Sequence, residues 1–293
     1  MYFKHGVQSF SMIKENLTVI FLLRNDRNAL SNLENFLTSI NKYDAGVNHE
    51  MVYIFKNFNN RELDRIQKDY EITEDQSIEL SDSYYDIGSY YLATKHVKKG
   101  LVFFLNSYSR PQADNWLKFF VEAYSNNSSY LVGATGSYES LGFNMPYLKD
   151  FNPISVMKWG IKYFYRLLIS IKNYSKFISF PNPHIRSNSF LTTSNIFLEY
   201  IEKVGIPITK KDCHQIESGL SSFTNFVKQR NLNPGIVDSL GKFYCLDSMH
   251  LSSVYRRSDQ KHLIVKDNRT DNFENADKEE KISLCWDSWR QKN

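Results

Sequence analysis

The chain has 293 residues, 42% hydrophobic and 23% charged, which excludes wholesale disorder and allows one large domain. Its net charge of +4, from 36 Lys and Arg against 32 Asp and Glu, requires no polyanionic partner, so no nucleic-acid partner is expected. The three cysteines, Cys213, Cys245 and Cys285, form no CxxC pair, so the sequence predicts neither a zinc site nor a disulfide framework.

Residues 17–134 alternate between apolar runs and amphipathic segments. The pattern predicts strands at 17–23, 51–55, 77–80, 101–105 and 130–134, and helices at 29–40, 61–70, 86–97 and 115–124. The first of these runs is almost continuously apolar, which is typical of a strand buried on both faces. Because strands joined by helices form right-handed βαβ units, the sequence predicts an α/β fold with a mostly parallel sheet flanked by helices.

The second half of the chain has a less regular pattern. Residues 154–178 carry aromatic and aliphatic side chains at helical spacing, which predicts a helical insertion at about 153–180. Between Asp150 and Glu199 no acidic residue occurs, so this insertion either packs on its own domain or contacts an anionic membrane surface peripherally. Further elements are predicted as a strand at 186–192, helices at 195–203 and 221–230, a polar turn at 212–219, an edge strand at 241–245, a charged loop at 267–281 and a terminal helix at 282–290.

Polar residues follow directly after three of the predicted strands. They are Arg24-Asn25, Lys56-Asn57 and Asn106-Ser107. Open parallel sheets bind ligands outside the carboxyl ends of their strands, so these residues are expected to share one site. No GxGxxG, GxxxxGK[ST], GxSxG or HExxH pattern occurs, which disfavours a dinucleotide enzyme, a P-loop NTPase, an α/β-hydrolase and a metal hydrolase. Nucleotide-sugar transfer is one of the few common functions that remain.

Two motifs carry a resemblance to a known family. Asp86-Ile87-Gly88 opens the third helix, and the strand at 101–105 ends at Asn106-Ser107-Tyr108. With the order of elements, they resemble the GT-A (Rossmann-like) fold of family-2-like glycosyltransferases over about residues 17–245. The resemblance implies transfer of a sugar from a nucleotide-sugar donor to a glycan, protein or lipid-linked acceptor, as in polysaccharide biosynthesis. It implies donor contacts from Arg24, Asn25, Lys56, Asn57, Asp86, Asn106, Ser107 and Arg110.

The chain departs from the family at the metal motif. Asn106-Ser107-Tyr108 stands where relatives carry Asp-x-Asp, and hard divalent cations prefer carboxylate ligands. We therefore predict a metal-independent enzyme with no cofactor, with Mn²⁺ or Mg²⁺ dependence as the alternative. The diphosphate leaving group then needs cationic side chains, and the candidates are Arg24, Lys56, Arg110 and Arg186.

Glu217 is the predicted catalytic residue, because relatives carry an acidic residue ahead of a helix in the second half of the domain. An inverting transfer needs one general base to take the proton of the acceptor hydroxyl. The sequence leaves open that Glu217 instead caps the following helix, with Asp212 and His214 as alternative bases. The acceptor is expected to contact His184, Arg186 and His214.

The predicted organisation is an N-terminal extension at 1–16, a GT-A-like domain at 17–265 and a C-terminal tail at 266–293 that contains a docking helix. A nucleotidyltransferase and a non-catalytic binding module with a degenerate transferase fold stay open as alternative functions. The N-terminus lacks a signal-peptide pattern, and no run of about 18 apolar residues occurs, so a cytoplasmic location is expected. The oligomeric state is left open.

Overall fold

A computed structural model describes residues 16–81, 84–173 and 175–291. The predicted N-terminal extension lies outside this part of the chain, apart from Asn16, and so does Tyr174 of the predicted insertion. The described strands are β1 (Asn16–Arg24), β2 (Glu50–Lys56), β3 (Ser77–Leu80), β4 (Gly100–Leu105), β5 (Arg110–Pro111), β6 (Leu131–Gly133), β7 (Gly136–Ser137), β8 (His184–Ile185), β9 (Ser189–Thr193), β10 (Gly235–Val237), β11 (Phe243–Cys245) and β12 (Val265–Lys266).

The described helices fall between and after these strands. They are α1 (Ala29–Lys42), α2 (Asn60–Asp69), α3 (Asp86–Thr94), α4 (Trp116–Asn127), α5 (Pro153–Asn173), α6 (Ser194–Val204), α7 (Lys210–Ser218), α8 (Phe223–Gln229), α9 (Asn268–Asn275) and α10 (Lys278–Trp289). Within the described residues, none of these helices combines the length and the apolar character needed to cross a bilayer.

Eight strands form one sheet in the order β11-β10-β6-β9-β4-β1-β2-β3. Strand β1 pairs in parallel with both β2 and β4, β2 pairs in parallel with β3, and β10 with β6. Strand β9 runs antiparallel between β4 and β6, and β11 runs antiparallel at the edge beside β10. The prediction of a mostly parallel α/β sheet is therefore confirmed, as is the edge position of the strand at 241–245. Two small pairs, β5–β12 and β7–β8, lie outside this sheet.

Both faces of the sheet are buried, which explains the almost continuous apolar sequence of β1. Ile20 and Leu22 pack on one face against α3, α6 and α8. Phe21 lies on the other face with α1, α2 and α4, and its ring stacks on Phe36 of α1 at a centroid distance of 3.9 Å. Successive residues of a strand point to opposite faces, so a run without polar residues is the expected pattern between two helical layers.

Three predictions for the second half are wrong. The segment predicted as a polar turn at 212–219 lies in α7, because Thr209 and Asp212 form a capping box that starts a helix. The charged segment at 267–281 holds α9 and the start of α10 rather than a loop, since Asp267 caps α9. The strand predicted from Arg186 begins at Ser189, and β10 was not predicted.

Candidate functional site

The carboxyl ends of β1, β2 and β4 bring most of the predicted donor residues together. The backbone N–H of Arg24 donates to Ser107 Oγ at 3.1 Å, which joins the end of β1 to the segment after β4. The backbone N–H of Asn25 donates to the carbonyl of Lys56 at 2.9 Å, and its side-chain amide donates to the carbonyl of Asn57 at 3.0 Å. These residues form a continuous polar edge, as the sheet topology predicts.

The two cations of the polar edge, Arg24 and Lys56, both bind other residues of the protein. Arg24 forms an ion pair with Asp86, the first residue of α3, and each side chain is about one-third exposed. Lys56 is buried, and its ammonium donates to the carbonyl of Tyr84 and to Ser89 Oγ, the latter at 2.9 Å. A ligand at this edge can therefore reach Arg24 and Asp86 but not the buried ammonium of Lys56.

Asn106 and Arg110 follow β4, and both have partners in the fold. The side-chain oxygen of Asn106 accepts from the N–H of Tyr108 at 3.1 Å and from Ser109 Oγ at 2.9 Å, which fixes the turn after the strand. Nη2 of Arg110 lies 2.7 and 2.8 Å from the two carboxylate oxygens of Asp271 on α9. This ion pair fastens α9 to β5 and occupies the guanidinium of Arg110.

A pocket of about 170 Å³ brings together the predicted base and the predicted acceptor residues. Glu217, His184, Arg186 and His214 all line it. The seven other lining residues were not predicted as site residues, and they include Glu139, Tyr255, Arg256 and Arg269. We refer to this cavity as the Glu217 pocket. It is small, and besides Leu141 and the ring of Tyr255 its lining includes two glutamates, two histidines and three arginines. These groups can position a hydroxyl and take its proton.

Glu217 lies in the last turn of α7, and its carboxylate points to the segment that precedes β9. Its Oε1 accepts the backbone N–H of Ser187 at 2.9 Å. The following helix, α8, is capped instead by Ser222, whose hydroxyl accepts the N–H of Asn225 at 3.3 Å. The alternative that Glu217 caps this helix is therefore wrong. One oxygen of Glu217 is held in place, and the other has no hydrogen-bond partner among the described residues.

Asp212, proposed as an alternative base, lies outside the Glu217 pocket. Its carboxylate accepts the backbone N–H of Thr209 at 2.8 Å and completes the capping box of α7. Hydrogen bonds from Thr209 hold the pKa of Asp212 below its usual value, which makes it a weaker base. His214, the other alternative, lies on the same helix and does line the pocket.

Arg186 is fixed at the back of the pocket, with 11% of its side chain exposed. Nη2 lies 3.0 Å from Asp267 Oδ2, Nη1 donates to Thr135 Oγ1 at 3.1 Å, and the guanidinium carbon lies 4.4 Å from the ring centroid of Tyr255. Burial lowers the pKa of Arg186, but the charges of Asp267, Tyr255 and Glu217 and the hydrogen bond to Asp267 together outweigh it, so the pKa is raised overall. Arg186 is therefore a permanent, oriented cation.

His184 is buried, and its hydrogen bonding defines its tautomer. Nδ1 lies 2.8 Å from the carbonyl oxygen of Asn182, which can only accept, so Nδ1 carries the proton. In the neutral ring Nε2 is then the hydrogen-bond acceptor. A hydroxyl group that enters the pocket can donate to this nitrogen.

Arg256 and Arg269 reach the pocket from distant parts of the chain. The side chain of Arg256 is 9% exposed; Nη1 lies 3.4 Å from Glu139 and 3.3 Å from Ser288 Oγ, and Nε has no partner among the described residues. Arg269 is exposed at the start of α9 and forms no ion pair within the described part of the chain. No sequence motif predicts that these two arginines lie near Glu217, because many residues separate them from it along the chain.

The Glu217 pocket and the polar edge are neighbours. The thiol of Cys213 on α7 lies within electrostatic range of Arg24 and Asp86 on one side and of Glu217 on the other. A small cavity of about 20 Å³ is lined by both Ile87, which follows Asp86 on α3, and Glu217. A ligand that spans the two regions would therefore lie across the carboxyl ends of the strands.

No cluster of three or more His, Cys, Asp and Glu side chains arranged to hold a metal ion occurs in the described ranges. The absence of cofactor and metal dependence stays a prediction from the Asn106-Ser107-Tyr108 segment.

No family model and no curated protein matches the chain. Among solved structures, it is similar to the mannosyltransferase PcManGT from Pyrobaculum calidifontis, solved with GDP-Man and Mn²⁺, at 14% identity and a TM-score of 0.41, over 70% of this chain and 51% of that one. It is also similar to a 4-diphosphocytidyl-2C-methyl-D-erythritol synthase from Anaerococcus prevotii, at 14% identity and a TM-score of 0.38, over 69% and 81% of the two chains. The chain spans about half the length of the mannosyltransferase. At TM-scores below 0.5, these likenesses carry no argument about activity.

Proposed function

We propose that this protein is an inverting glycosyltransferase that uses a nucleotide-diphospho-sugar donor, with Glu217 as its general base. The observation that supports this most directly is the position of Glu217. Its carboxylate has one hydrogen-bonded oxygen and one that no described residue contacts by a hydrogen bond, in a pocket beside the carboxyl edge of a mostly parallel sheet. A single positioned carboxylate beside a donor site is what an inverting transfer requires.

In this proposal the donor lies along the polar edge and the acceptor lies in the Glu217 pocket. The acceptor hydroxyl attacks the anomeric carbon and gives its proton to the oxygen of Glu217 that has no partner. The bond from that carbon to the diphosphate breaks on the opposite face, and the diphosphate leaves with the electron pair. His184 accepts a hydrogen bond from the acceptor through Nε2, and Arg186 and His214 orient it.

The charge of the leaving diphosphate has to be balanced by the chain if no metal takes part. Among the candidate cations, Arg110 forms an ion pair with Asp271 and Arg186 forms one with Asp267. Lys56 is buried and donates to Ser89 Oγ. Arg24 is the most exposed of them and lies on the polar edge, so in our proposal it exchanges Asp86 for phosphate when the donor binds. The exposed Arg269 is a second cation for the same charge.

The test of the base is the variant Glu217→Gln, which keeps the size and one hydrogen-bond acceptor but cannot take the proton. We expect transfer to fall by about 10²–10⁴-fold, with donor binding unchanged within a few-fold. The matched control is Asp212→Asn on the same helix but outside the pocket, which should keep near-normal turnover. Full turnover by Glu217→Gln would exclude the proposed role.

The donor is identified by a thermal-shift screen of UDP-, GDP-, dTDP- and CMP-sugars, each with Mn²⁺ and with EDTA. A ligand at about 100 times its Kd stabilises the fold by roughly 2.7 kcal/mol, which is readily detected. Stabilisation in EDTA by one nucleotide class would support a metal-independent transferase, and a strict Mn²⁺ requirement would contradict it. Pyrophosphate release from a nucleoside triphosphate would favour the nucleotidyltransferase, and no shift at all would favour the binding module.

A further inference from the structure

Helix α5 is attached to the protein by one face only. Trp159 Nε1 donates to the carbonyl of Pro146 at 3.0 Å, and Arg166 forms two bonds of 2.9 Å with the carboxylate of Asp287 on α10. The ring of Tyr163 packs edge-on against Phe143 at 5.8 Å. Trp159, Tyr163 and Arg166 are spaced by four and three residues, so they share one face and fix the rotation of α5 about its axis.

The opposite face of α5 is apolar and exposed. It carries residues spaced alternately by four and three positions, and each is at least half exposed: Met157, Ile161, Phe164, Leu168 and Ile171. Ile154, Tyr165 and the preceding Phe151 extend the same stripe, and none of the residues of α5 is buried. Ordinary surface helices point such a stripe toward the core, and an apolar patch of this length marks an interaction surface.

The charges around the stripe indicate what covers it. At 100° per residue, Lys158 and Lys162 run along one border of the stripe and Lys172 lies at its C-terminal end. No acidic residue occurs between Asp150 and Glu199. Two copies of this helix packed along the stripe would bring lysines against lysines, which disfavours a second copy of the chain. The acidic residues that share a cavity with Lys158 and Lys162 are Asp277, Glu279 and Glu280. Trp159 of the attached face lines the same cavity, so these acids lie on the side of α5 away from the stripe. An anionic lipid surface offers an apolar region for the stripe and negative charges for its basic border.

We propose that α5 lies in the interface of an anionic lipid bilayer, with its stripe in the acyl region and Lys158, Lys162 and Lys172 at the headgroups. This property is independent of the transfer reaction and of Glu217. A helix with a long apolar stripe, a lysine border and aromatic rings has the pattern of one that lies in the interface plane. With Arg166 and three lysines along its length, α5 lies on the membrane rather than across it.

The test is vesicle flotation of the full chain, with phosphatidylcholine alone and with phosphatidylcholine mixed with phosphatidylglycerol. We expect binding only to the mixed vesicles, weakened at high ionic strength. The double variant Ile161→Glu with Leu168→Glu should lose more than 10-fold in partitioning, because both charges enter the acyl region. Replacing Lys158, Lys162 and Lys172 by Gln should cost on the order of 100-fold, about five-fold for each lysine near an anionic surface.

The matched control is Leu240→Glu with Leu251→Glu, which replaces two equally exposed leucines elsewhere on the protein and should bind vesicles like the unchanged chain. All the replaced side chains are exposed, so thermal unfolding should be unaffected. Unchanged flotation of the Ile161 and Leu168 variant, or no flotation of the unchanged chain with anionic vesicles, would overturn the proposal. If light scattering shows a dimer, and only the variant with Ile161→Glu and Leu168→Glu is monomeric, a second copy of the chain covers the stripe.

Discussion

The double role of Asp267 leads to a prediction about stability. Its Oδ1 accepts the backbone N–H groups of Arg269 at 3.0 Å and Thr270 at 2.8 Å, which caps α9. Its Oδ2 pairs with the guanidinium of Arg186 at 3.0 Å, and only 1% of the Asp267 side chain is exposed. The variant Asp267→Ala removes the cap and leaves a buried cation without its partner.

The expected cost follows from these two losses. Loss of an N-cap costs about 1 kcal/mol, and a buried ion pair broken from one side costs about 3–5 kcal/mol. Asp267→Ala should therefore lower the free energy of unfolding by about 4–6 kcal/mol, a large part of the roughly 5–15 kcal/mol of a typical domain. Asp267→Asn keeps the cap and should cost less. The double variant of Asp267→Ala with Arg186→Met should recover the part of the loss that comes from the unpaired buried charge, and the cost of about 1 kcal/mol for the cap should remain.

Asp277 offers a matched control. It caps α10 by accepting the N–H of Glu280 at 2.8 Å, it is exposed, and it forms no ion pair within the described residues. Asp277→Ala should cost only about 1 kcal/mol. Urea unfolding followed by tryptophan fluorescence gives the free energies, provided that the slope with urea is unchanged. If Asp267→Ala costs no more than Asp277→Ala, the Arg186–Asp267 pair does not stabilise the fold.

The remaining predictions concern two glycines and two thiols. Gly100→Ala should cost about 1–3 kcal/mol in urea unfolding, because a Cβ there would lie 2.2 Å from the carbonyl oxygen of Asn16. Gly160→Ala in α5 meets nothing within 4 Å and should gain up to about 1 kcal/mol. Burial raises the pKa of Cys213 to about 12 and of Cys285 to about 11, so the folded state keeps protons that the unfolded state loses. The free energy of unfolding should therefore fall as the pH rises above about 9, and less steeply with both thiols replaced by Ala.

The first half of the fold could be predicted because its strands are buried on both faces. Residues 19–23 of β1 are all apolar, so this run marks the strand. The helices between these strands could then be predicted from the helical spacing of their apolar residues. The predicted helix at 86–97 ended too late, since α3 stops at Thr94, where sequence patterns are least informative.

The second half was harder because two of its helices, α7 and α9, are short and polar. Both α7 and α9 begin with capping boxes, at Thr209 and Asp267, and their few apolar residues give no clear period. The three-residue strand β10 owes its place in the sheet to pairing with β6 and β11, which no local pattern shows. Tertiary pairing thus decides β10, whereas in α7 and α9 the capping residues are the local signal and the apolar period is not.

The sequence reasoning singled out Glu217, His184, Arg186 and His214, and the structure brings these four side chains to one pocket. Their roles stay predictions, and the residues that pair with the arginines were not predicted. The partners that hold the arginines lie far away along the chain: Asp271 is 161 residues from Arg110, and Asp267 is 81 residues from Arg186. A linear sequence shows that cations are abundant and does not show which of them are already neutralised.

This pairing changes what metal independence would require. The sequence offers four candidate cations for a diphosphate, but in the fold each of them has an internal partner, and the partners of Arg110, Arg186 and Lys56 are more buried than that of Arg24. Arg24, whose pair with Asp86 is about one-third exposed, and the exposed Arg269 at the start of α9 are therefore the cations that a donor can reach. A metal-free reaction would thus depend on these two arginines, not on the overall basic composition. Binding of the donor in EDTA should accordingly weaken most when Arg24 is replaced.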